Sequence, residues 1–221
     1  MARIIVIGGI ESTYTNAQVL HELGEDIVMF YTRGPHSPGW EGVGIVDETH
    51  FSFAGQVPRT MVNGHIRDHV QEMQALAPDL IYSLGWQQMY SKDMLELCPV
   101  VGIHESLLPR GAGAVPIANA ILHDEVATGI TLFRLDAGVD TGTIIGQLKG
   151  TLSPLTANAT ELYREAMDLG GELLRMFVPH INRGTAPSIP QDVSRRVVYR
   201  KVDWSLWPED KVRRARVYPY A

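Results

Sequence analysis

One histidine and one aspartate stand out by their surroundings. His104 follows directly on the apolar run Val100–Ile103, and Asp140 sits in the glycine-flanked stretch Gly138–Gly142. The end of a parallel strand is where α/β folds place their chemistry. A histidine there can donate to a developing oxyanion or accept a proton, and a nearby carboxylate can orient its ring. Residue types alone favour an ordinary local hydrogen bond over a catalytic pair. The more conspicuous glycine motif carries less. A dinucleotide fingerprint needs G-x-G-x-x-G opening a helix and an acid ending the second strand. Here Gly8 and Gly9 are adjacent, and the second apolar run ends Phe30-Tyr31-Thr32-Arg33. What remains is a helix amino end near an anion or polar substrate. The lone Cys98 excludes an internal disulfide and a cysteine zinc site. No G-x-S-x-G nucleophile elbow occurs.

The elements that must position these residues follow from spacing. Arg3–Gly8, β-branched and closed by Gly-Gly, reads as a buried parallel strand. Gly9–Thr15 reads as a loop, with Ser12, Thr13 and Thr15 as N-cap candidates for a helix over Asn16–Leu23. Gly24 stops that helix, and Asp26–Tyr31 is a second strand, so the start of the chain is a βαβ unit with a parallel sheet. Gly34–Gly44 is a loop rich in Gly and Pro. Helices are expected over Ile66–Leu76, Lys92–Leu97, Pro116–His123, Ala157–Ile181 and Pro208–Arg216. Strands are expected at Asp79–Ser83, Val100–Ile103, Thr128–Leu135, Thr143–Lys149 and Val197–Trp204. The turn Asp136–Gly142 joins two of them, and a glycine-rich loop, Pro109–Ala114, follows the histidine. The chain stops at Tyr218-Pro-Tyr-Ala221. The expected fold is α/β, a mostly parallel Rossmann-like sheet with helices on both faces. Residues 1–186 would form the catalytic domain and 187–221 a short C-terminal appendage.

The residues flanking the pair are more specific than either member. His104-Glu-Ser-Leu-Leu-Pro109, then a glycine-rich loop, then Thr128-Gly-Ile-Thr-Leu-Phe-Arg-Leu-Asp-Ala-Gly-Val-Asp-Thr-Gly142 and Ile144-Ile-Gly-Gln147, resemble the 10-formyltetrahydrofolate-dependent formyltransferases. That superfamily includes glycinamide ribonucleotide transformylase, methionyl-tRNA formyltransferase and the amino-sugar N-formyltransferases. The resemblance is dense over Pro78–Gln147 and weaker elsewhere. Asp203-Trp204-Ser205 resembles the segment after the catalytic domain in the transfer-RNA and sugar members.

The resemblance implies roles. His104 would stabilise a tetrahedral intermediate and move protons, and Asp140 would pair with it and hold a relaying water. Gly85, Trp86 and Met89 in one loop, and Ala137, Gly138 and Val139 in the turn, would hold the pterin of 10-formyltetrahydrofolate, largely through backbone groups. Gly9, Ser12, Thr13 and Tyr14, with Ser106 and Arg110, would face the acceptor. Transfer of a formyl group to an amine needs donors around the developing oxyanion and a proton relay, but no metal.

Two departures from the family pattern matter. Gly102-Ile-His104 stands where the family has Asn-x-His, and losing one oxyanion donor costs about 10²–10³ in rate. Gln87 and Gln88, then Asn119, are the side chains that could replace the missing amide. A backbone N–H, a water, or lost activity are the alternatives. Ala112-Gly113 stands where many relatives have Arg-Gly. Each candidate also has a plain structural reading: Trp86 as core, Gln87 and Gln88 as solvated loop residues, Arg110 as a solvent-facing cation, Glu105 as a half-exposed acid, His123-Asp124-Glu125 as an exposed helix end.

The chain has 221 residues, 45% of them hydrophobic, which excludes a disordered chain. Nineteen Lys and Arg against 25 Asp and Glu give a net charge of −6, the wrong sign for a nucleic-acid partner. No apolar run approaches the ~20 residues of a membrane helix. The expectation is a cytoplasmic enzyme whose partners are a folate and a small primary amine, with a homodimer among its allowed assemblies. The short tail leaves no room for the extra barrel of methionyl-tRNA formyltransferase. A nucleotide-linked amino sugar is the favoured acceptor, ahead of glycinamide ribonucleotide and a hydroxylated ornithine. The rival is a catalytically impaired folate-binding module.

Overall fold

β1 (Arg3–Gly8) explains its own composition: Ile4 and Val6 enter one core and Ile5 and Ile7 the other. A strand covered on both faces must read as a continuous apolar run. The computed structural model describes residues 2–38 and 46–216. Part of the Gly34–Gly44 loop and the terminal Tyr218–Ala221 therefore lie outside the described residues.

Around β1 runs a seven-stranded sheet in the order β3-β2-β1-β4-β5-β7-β8. β2 (Asp26–Arg33), β3 (Arg59–Val62), β4 (Leu80–Leu84) and β5 (Val100–His104) continue it in parallel. β7 (Gly129–Arg134) and β8 (Ile144–Lys149) add an antiparallel edge. Between β5 and β7 the two-residue β6 (Ala112–Gly113) pairs instead with β9 (Val198–Tyr199) in the tail. One face is covered by α1 (Glu11–Glu22), α4 (Pro116–Leu122), α5 (Ala159–Asn182) and α6 (Glu209–Arg216). The other carries α2 (Val70–Leu76) and α3 (Lys92–Leu97). The α/β class, the mostly parallel sheet and the helices on both faces are as expected. Among the described residues no helix is long and apolar enough to cross a membrane.

Several elements differ from the sequence expectation, among them β6, which forms inside the expected Pro109–Ala114 loop. α1 begins at Glu11, not Asn16, so the supposed Gly9–Thr15 loop is mostly helix. Its polar run is compatible with a helix because the side chains bond locally. Ile10 N–H donates to Thr13 Oγ1 (3.2 Å), Thr15 Oγ1 to the Glu11 carbonyl (3.1 Å), and Asn16 Nδ2 to the Ser12 carbonyl (2.8 Å). β3 was not expected; it is a short edge strand whose Arg, Thr and Met carry no period-2 signal. The strand expected over Val197–Trp204 shrinks to β9, after which Asp203 accepts the Ser205 N–H (3.1 Å) and turns the chain into a 3-10 segment.

The tail packs back onto the body. Ala215 is buried in the larger core, Lys211 Nζ donates to the Leu122 carbonyl (3.0 Å), and Arg214 Nη1 donates to the carbonyls of Pro154 (2.8 Å) and Ala157 (3.2 Å).

Candidate active site

Register on two neighbours fixes where β5 ends. Gly102 pairs with Ser83 and Phe133, and His104 pairs with Thr131. The chain then turns: Ser106 N–H donates to the His104 carbonyl (2.9 Å) and Ser106 Oγ to the Arg110 carbonyl (2.8 Å). Thr131 braces this turn from beneath. Its hydroxyl donates to the Ser106 carbonyl (2.7 Å) and accepts from Leu108 N–H (3.1 Å) and Gln147 Nε2 (2.8 Å). Gln147 also donates to the Leu108 carbonyl (2.8 Å). Thr131 and Gln147 had no role in the sequence reading. Their signal is there, as polar residues directly opposite each other on paired strands.

The turn brings Gly111 over His104, whose side chain is only 10% exposed. His104 Nε2 lies 2.8 Å from the Gly111 carbonyl. A carbonyl can only accept, so Nε2 carries the hydrogen and Nδ1 is the nitrogen left to take up a proton. Nδ1 faces Asp140 Oδ2 at 3.8 Å, too long for a direct hydrogen bond. The same Oδ2 accepts Gly113 N–H at 2.7 Å, which fixes the carboxylate. Asp140 itself sits at φ 50°, a left-handed conformation that few residues other than Gly, Asn and Asp adopt. Beside the pair, burial pushes the Glu105 carboxyl above its ordinary range; the His104 ring opposes this and Asp140 adds to it.

Gly113 is indispensable to this arrangement. Its φ is 97°, and a Cβ there would lie 2.2 Å from the Tyr199 carbonyl oxygen, a backbone atom of β9. Gly113→Ala is expected to cost about 1–3 kcal/mol from the backbone conformation alone. It should also part β6 from β9 and weaken the hold on Asp140. Denaturant unfolding beside turnover checks this, and a variant as stable and as active as its parent would refute it.

The space beside Gly102 is filled. A Cβ at Gly102 would lie 2.5 Å from Leu135 Cδ1, so Leu135 occupies the position of any side chain there. The candidate replacement amides point elsewhere. Gln88 accepts from Ile66 N–H (2.9 Å) and donates to the Gly64 carbonyl (3.1 Å), latching the loop after β3. Asn119 donates to the carbonyls of Ala114 (2.8 Å) and Val115 (3.2 Å) in the turn leading into α4. Gln87 is exposed. The expectation that Gln88 or Asn119 supplies an amide at His104 is therefore corrected, because each is committed to bracing a loop.

The two segments assigned to the pterin border one face of the sheet. Trp86, Tyr90 and Leu135 pack onto the same core cluster. Gly85 turns at φ 71°. Met89 and Val139 are exposed by 56% and 43%. Ala137 and Gly138 are exposed too, in a turn braced by the Asp136 carboxylate, which accepts Gly138 N–H (3.0 Å) and the Thr141 hydroxyl. Exposed apolar side chains beside accessible backbone suit a flat bicyclic ring with polar edges.

The acceptor assignments fare differently. Ser12, Thr13 and Tyr14 are buried in α1. Thr13 Oγ1 donates to the Leu84 carbonyl, Ser12 N–H donates to the Tyr163 hydroxyl (2.9 Å), and Tyr14 OH bonds Thr32 Oγ1 (2.9 Å). Thr13 and Tyr14 hold α1 to the sheet and Ser12 ties it to α5, which corrects the expectation that they lie in a loop facing the acceptor. Gly9 offers its carbonyl to Arg33 Nε (2.9 Å). Tyr14 does edge a cavity of about 160 Å³ with Thr32, Arg33, Arg59 and Met61, but at the β2–β3 edge of the sheet, away from His104. Arg110 makes a two-pronged ion pair with Glu125 (2.9 and 3.1 Å), which also accepts from Tyr199 OH (2.6 Å). Ser106 shapes the turn. His123, read as an exposed helix end, stacks on Tyr199 at 4.8 Å between ring centroids.

Other chemistries find little support. Burial, with Asp79 nearby, pushes the Cys98 thiol up to about 11, so it is no ready nucleophile. Among the described residues no group of three His, Cys, Asp or Glu side chains is placed to hold a metal.

Comparison with known proteins gives a consistent result. The model of the family described as formyl transferase matches residues 4–178. A methionyl-tRNA formyltransferase of Symbiobacterium thermophilum is 31% identical over 199 residues, covering 86% of this chain and 60% of that protein. The chain spans about half the length of the curated relatives it matches. An N-formyltransferase from Helicobacter canadensis, solved with folinic acid and dTDP-3-aminofucose, is similar in fold, with a TM-score of 0.70 and 18% identity over 99% of this chain and 81% of that one. Phosphoribosylglycinamide formyltransferase from Bacillus halodurans gives a TM-score of 0.64 and 20% identity over 77% of this chain and 90% of that one.

Proposed function

Because the chain belongs to the formyl transferase family, we propose that it moves a formyl group from 10-formyltetrahydrofolate to the primary amine of a small molecule, a nucleotide-linked amino sugar. The observation that carries the chemistry is the His104–Asp140 pair, with Nε2 held by the Gly111 carbonyl and Nδ1 turned to the carboxylate. The folate supplies a formyl carbon and a nitrogen leaving group. Nδ1 of His104 accepts the proton that the amine loses as its nitrogen bonds to that carbon. The same proton is returned to the leaving nitrogen as the old carbon–nitrogen bond breaks. Asp140 stabilises the imidazolium in between, across a gap that a water can bridge. The mostly buried setting strengthens each of these interactions.

The sugar acceptor is supported by the Helicobacter canadensis relative, whose structure holds an amino sugar nucleotide and whose fold follows this chain through its tail. The curated relatives favour a second reading, since they are methionyl-tRNA formyltransferases at 31–39% identity. A net charge of −6 speaks against a polyphosphate partner of that size. The test is an ultraviolet assay of folate conversion with thymidine- and uridine-linked amino sugars, glycinamide ribonucleotide and methionyl-tRNA. Turnover with an amino sugar is expected. Turnover with methionyl-tRNA alone would reassign the acceptor, and no turnover with any amine would overturn the function.

A further inference from the structure

Two unrelated parts of the chain form the pair, and one stretch of the tail touches both. On the Asp140 side, Gln191 Nε2 donates to the carbonyls of Asp140 (2.9 Å) and Gly142 (2.7 Å). Arg196 donates through Nη1 to the Asp140 carbonyl (3.2 Å) and through Nη2 to that of Val139. On the His104 side, β9 pairs with β6, so that Ala112 N–H donates to the Val197 carbonyl (3.0 Å) and Ala114 N–H to that of Tyr199 (3.0 Å). β6 lies directly after Gly111, whose carbonyl holds His104 Nε2, and contains Gly113, whose N–H holds Asp140. Just upstream, Ile189 and Ile144 exchange both backbone hydrogen bonds (2.8 and 2.9 Å), anchoring the stretch at the foot of the turn.

We propose that residues 189–199 are a strap that sets the spacing of His104 and Asp140, with Gln191 and Arg196 as its positioning residues. Two features argue that the contacts are more than incidental cover. The first is the backbone they act on. Asp140 holds a left-handed φ without being glycine, and such a conformation persists where its surroundings over-determine it. Four donor contacts from two side chains converge on three consecutive-region carbonyls, those of Val139, Asp140 and Gly142, and do that. The second is the orientation of Gln191. Its NH₂ group serves both carbonyls while its Oε1 is buried with no hydrogen-bond partner among the described residues. One amide group thereby ties two carbonyls of the turn, on either side of Thr141. Arg196 adds a charge-assisted pair from a rigid fork, which lysine can reproduce only in part. The consequence is specific. Removing either side chain should leave the sheet and its two cores intact and change the distance between Oδ2 and Nδ1.

The test uses the full chain with Arg196→Ala, Gln191→Ala and Arg196→Lys, beside Asp140→Asn as a reference. The turnover arm rests on the formyl-transfer reading; the ring-nitrogen arm does not. Misplacing a reacting group by roughly 1 Å costs about a hundredfold, so kcat should fall about that much in Arg196→Ala while KM for the amine changes less than about threefold. Arg196→Lys should recover part of the loss. In histidine-labelled protein the His104 ring-nitrogen signals should move in the same direction as in Asp140→Asn. Should Arg196→Ala fail to fold, Gln191→Ala carries the same readouts. Folded variants whose His104 ring signals match those of the parent would overturn the strap, as would a parent rate of turnover. If the parent itself formylates no amine, the formyl-transfer reading falls, and the ring signals still decide the strap.

Discussion

His104→Ala is expected to lower the rate of formyl transfer by about 10³–10⁴-fold at saturating substrates, at the upper end of what one acid–base group contributes. The size follows from the geometry. Nδ1 is the ring nitrogen open to proton uptake, since Nε2 is tied to the Gly111 carbonyl. Glu105 also lies beside the pair, with its carboxyl pushed above its ordinary range by burial. Asp140→Ala should cost less, about 10²–10³-fold, because the ring survives and only its orientation and the charge beside it are lost. The two losses should not add when combined, since the residues act as a unit. Folate affinity, measured by fluorescence titration, should hold for His104→Ala. A His104→Ala enzyme that keeps more than a tenth of the parent rate would remove this ring from the mechanism.

The second large effect concerns the position two residues before it. Gly102→Asn alone should destabilise the protein by about 1–3 kcal/mol through overpacking, with a similar further cost if the new amide is buried unpaired. The cause is Leu135 Cδ1, 2.5 Å from where the new Cβ must go. Gly102→Asn with Leu135→Ala makes room. If the site lacks an oxyanion donor, that pair should raise kcat by at least about tenfold, a conservative share of the 10²–10³ one donor is worth. An unchanged kcat in the folded double variant would show that the position is already served by another donor. Gln88 and Asn119 are poor choices for that donor, because both amides are bound to other backbone groups.

The central strands were the most legible part of the molecule, unlike the short β3, β6 and β9. The run Ile4–Ile7 is apolar throughout because both faces are covered, and Leu80–Leu84 is interrupted only by the small Ser83. α1 was misjudged at its start because Ser, Thr and Asn side chains bond their own helix backbone there, which composition does not distinguish from a capped loop. That error carried over to the acceptor assignments, since Ser12, Thr13 and Tyr14 were placed in a loop they do not form. His104 and Asp140 could be singled out from their flanking motifs. Gln191 and Arg196 could not, because they act on carbonyls, and backbone acceptors leave no trace in a sequence. Leu135 was equally hidden: a single apolar residue ending a strand gives no sign that it fills a neighbour's missing side chain.

The pairing of β6 with β9 also sets an order of events during synthesis. Ala112 meets Val198, and Asp140 meets Arg196, so the last pieces of the His104 surroundings leave the ribosome long after His104 itself. The β1–β4 pairing (Ile4 with Leu80) and the β6–β9 pairing (Ala112 with Val198) both close long loops, but only the second waits for the tail to be made. A nascent chain halted before Val197 would carry every strand of the seven-stranded sheet and lack the β9 partner of β6.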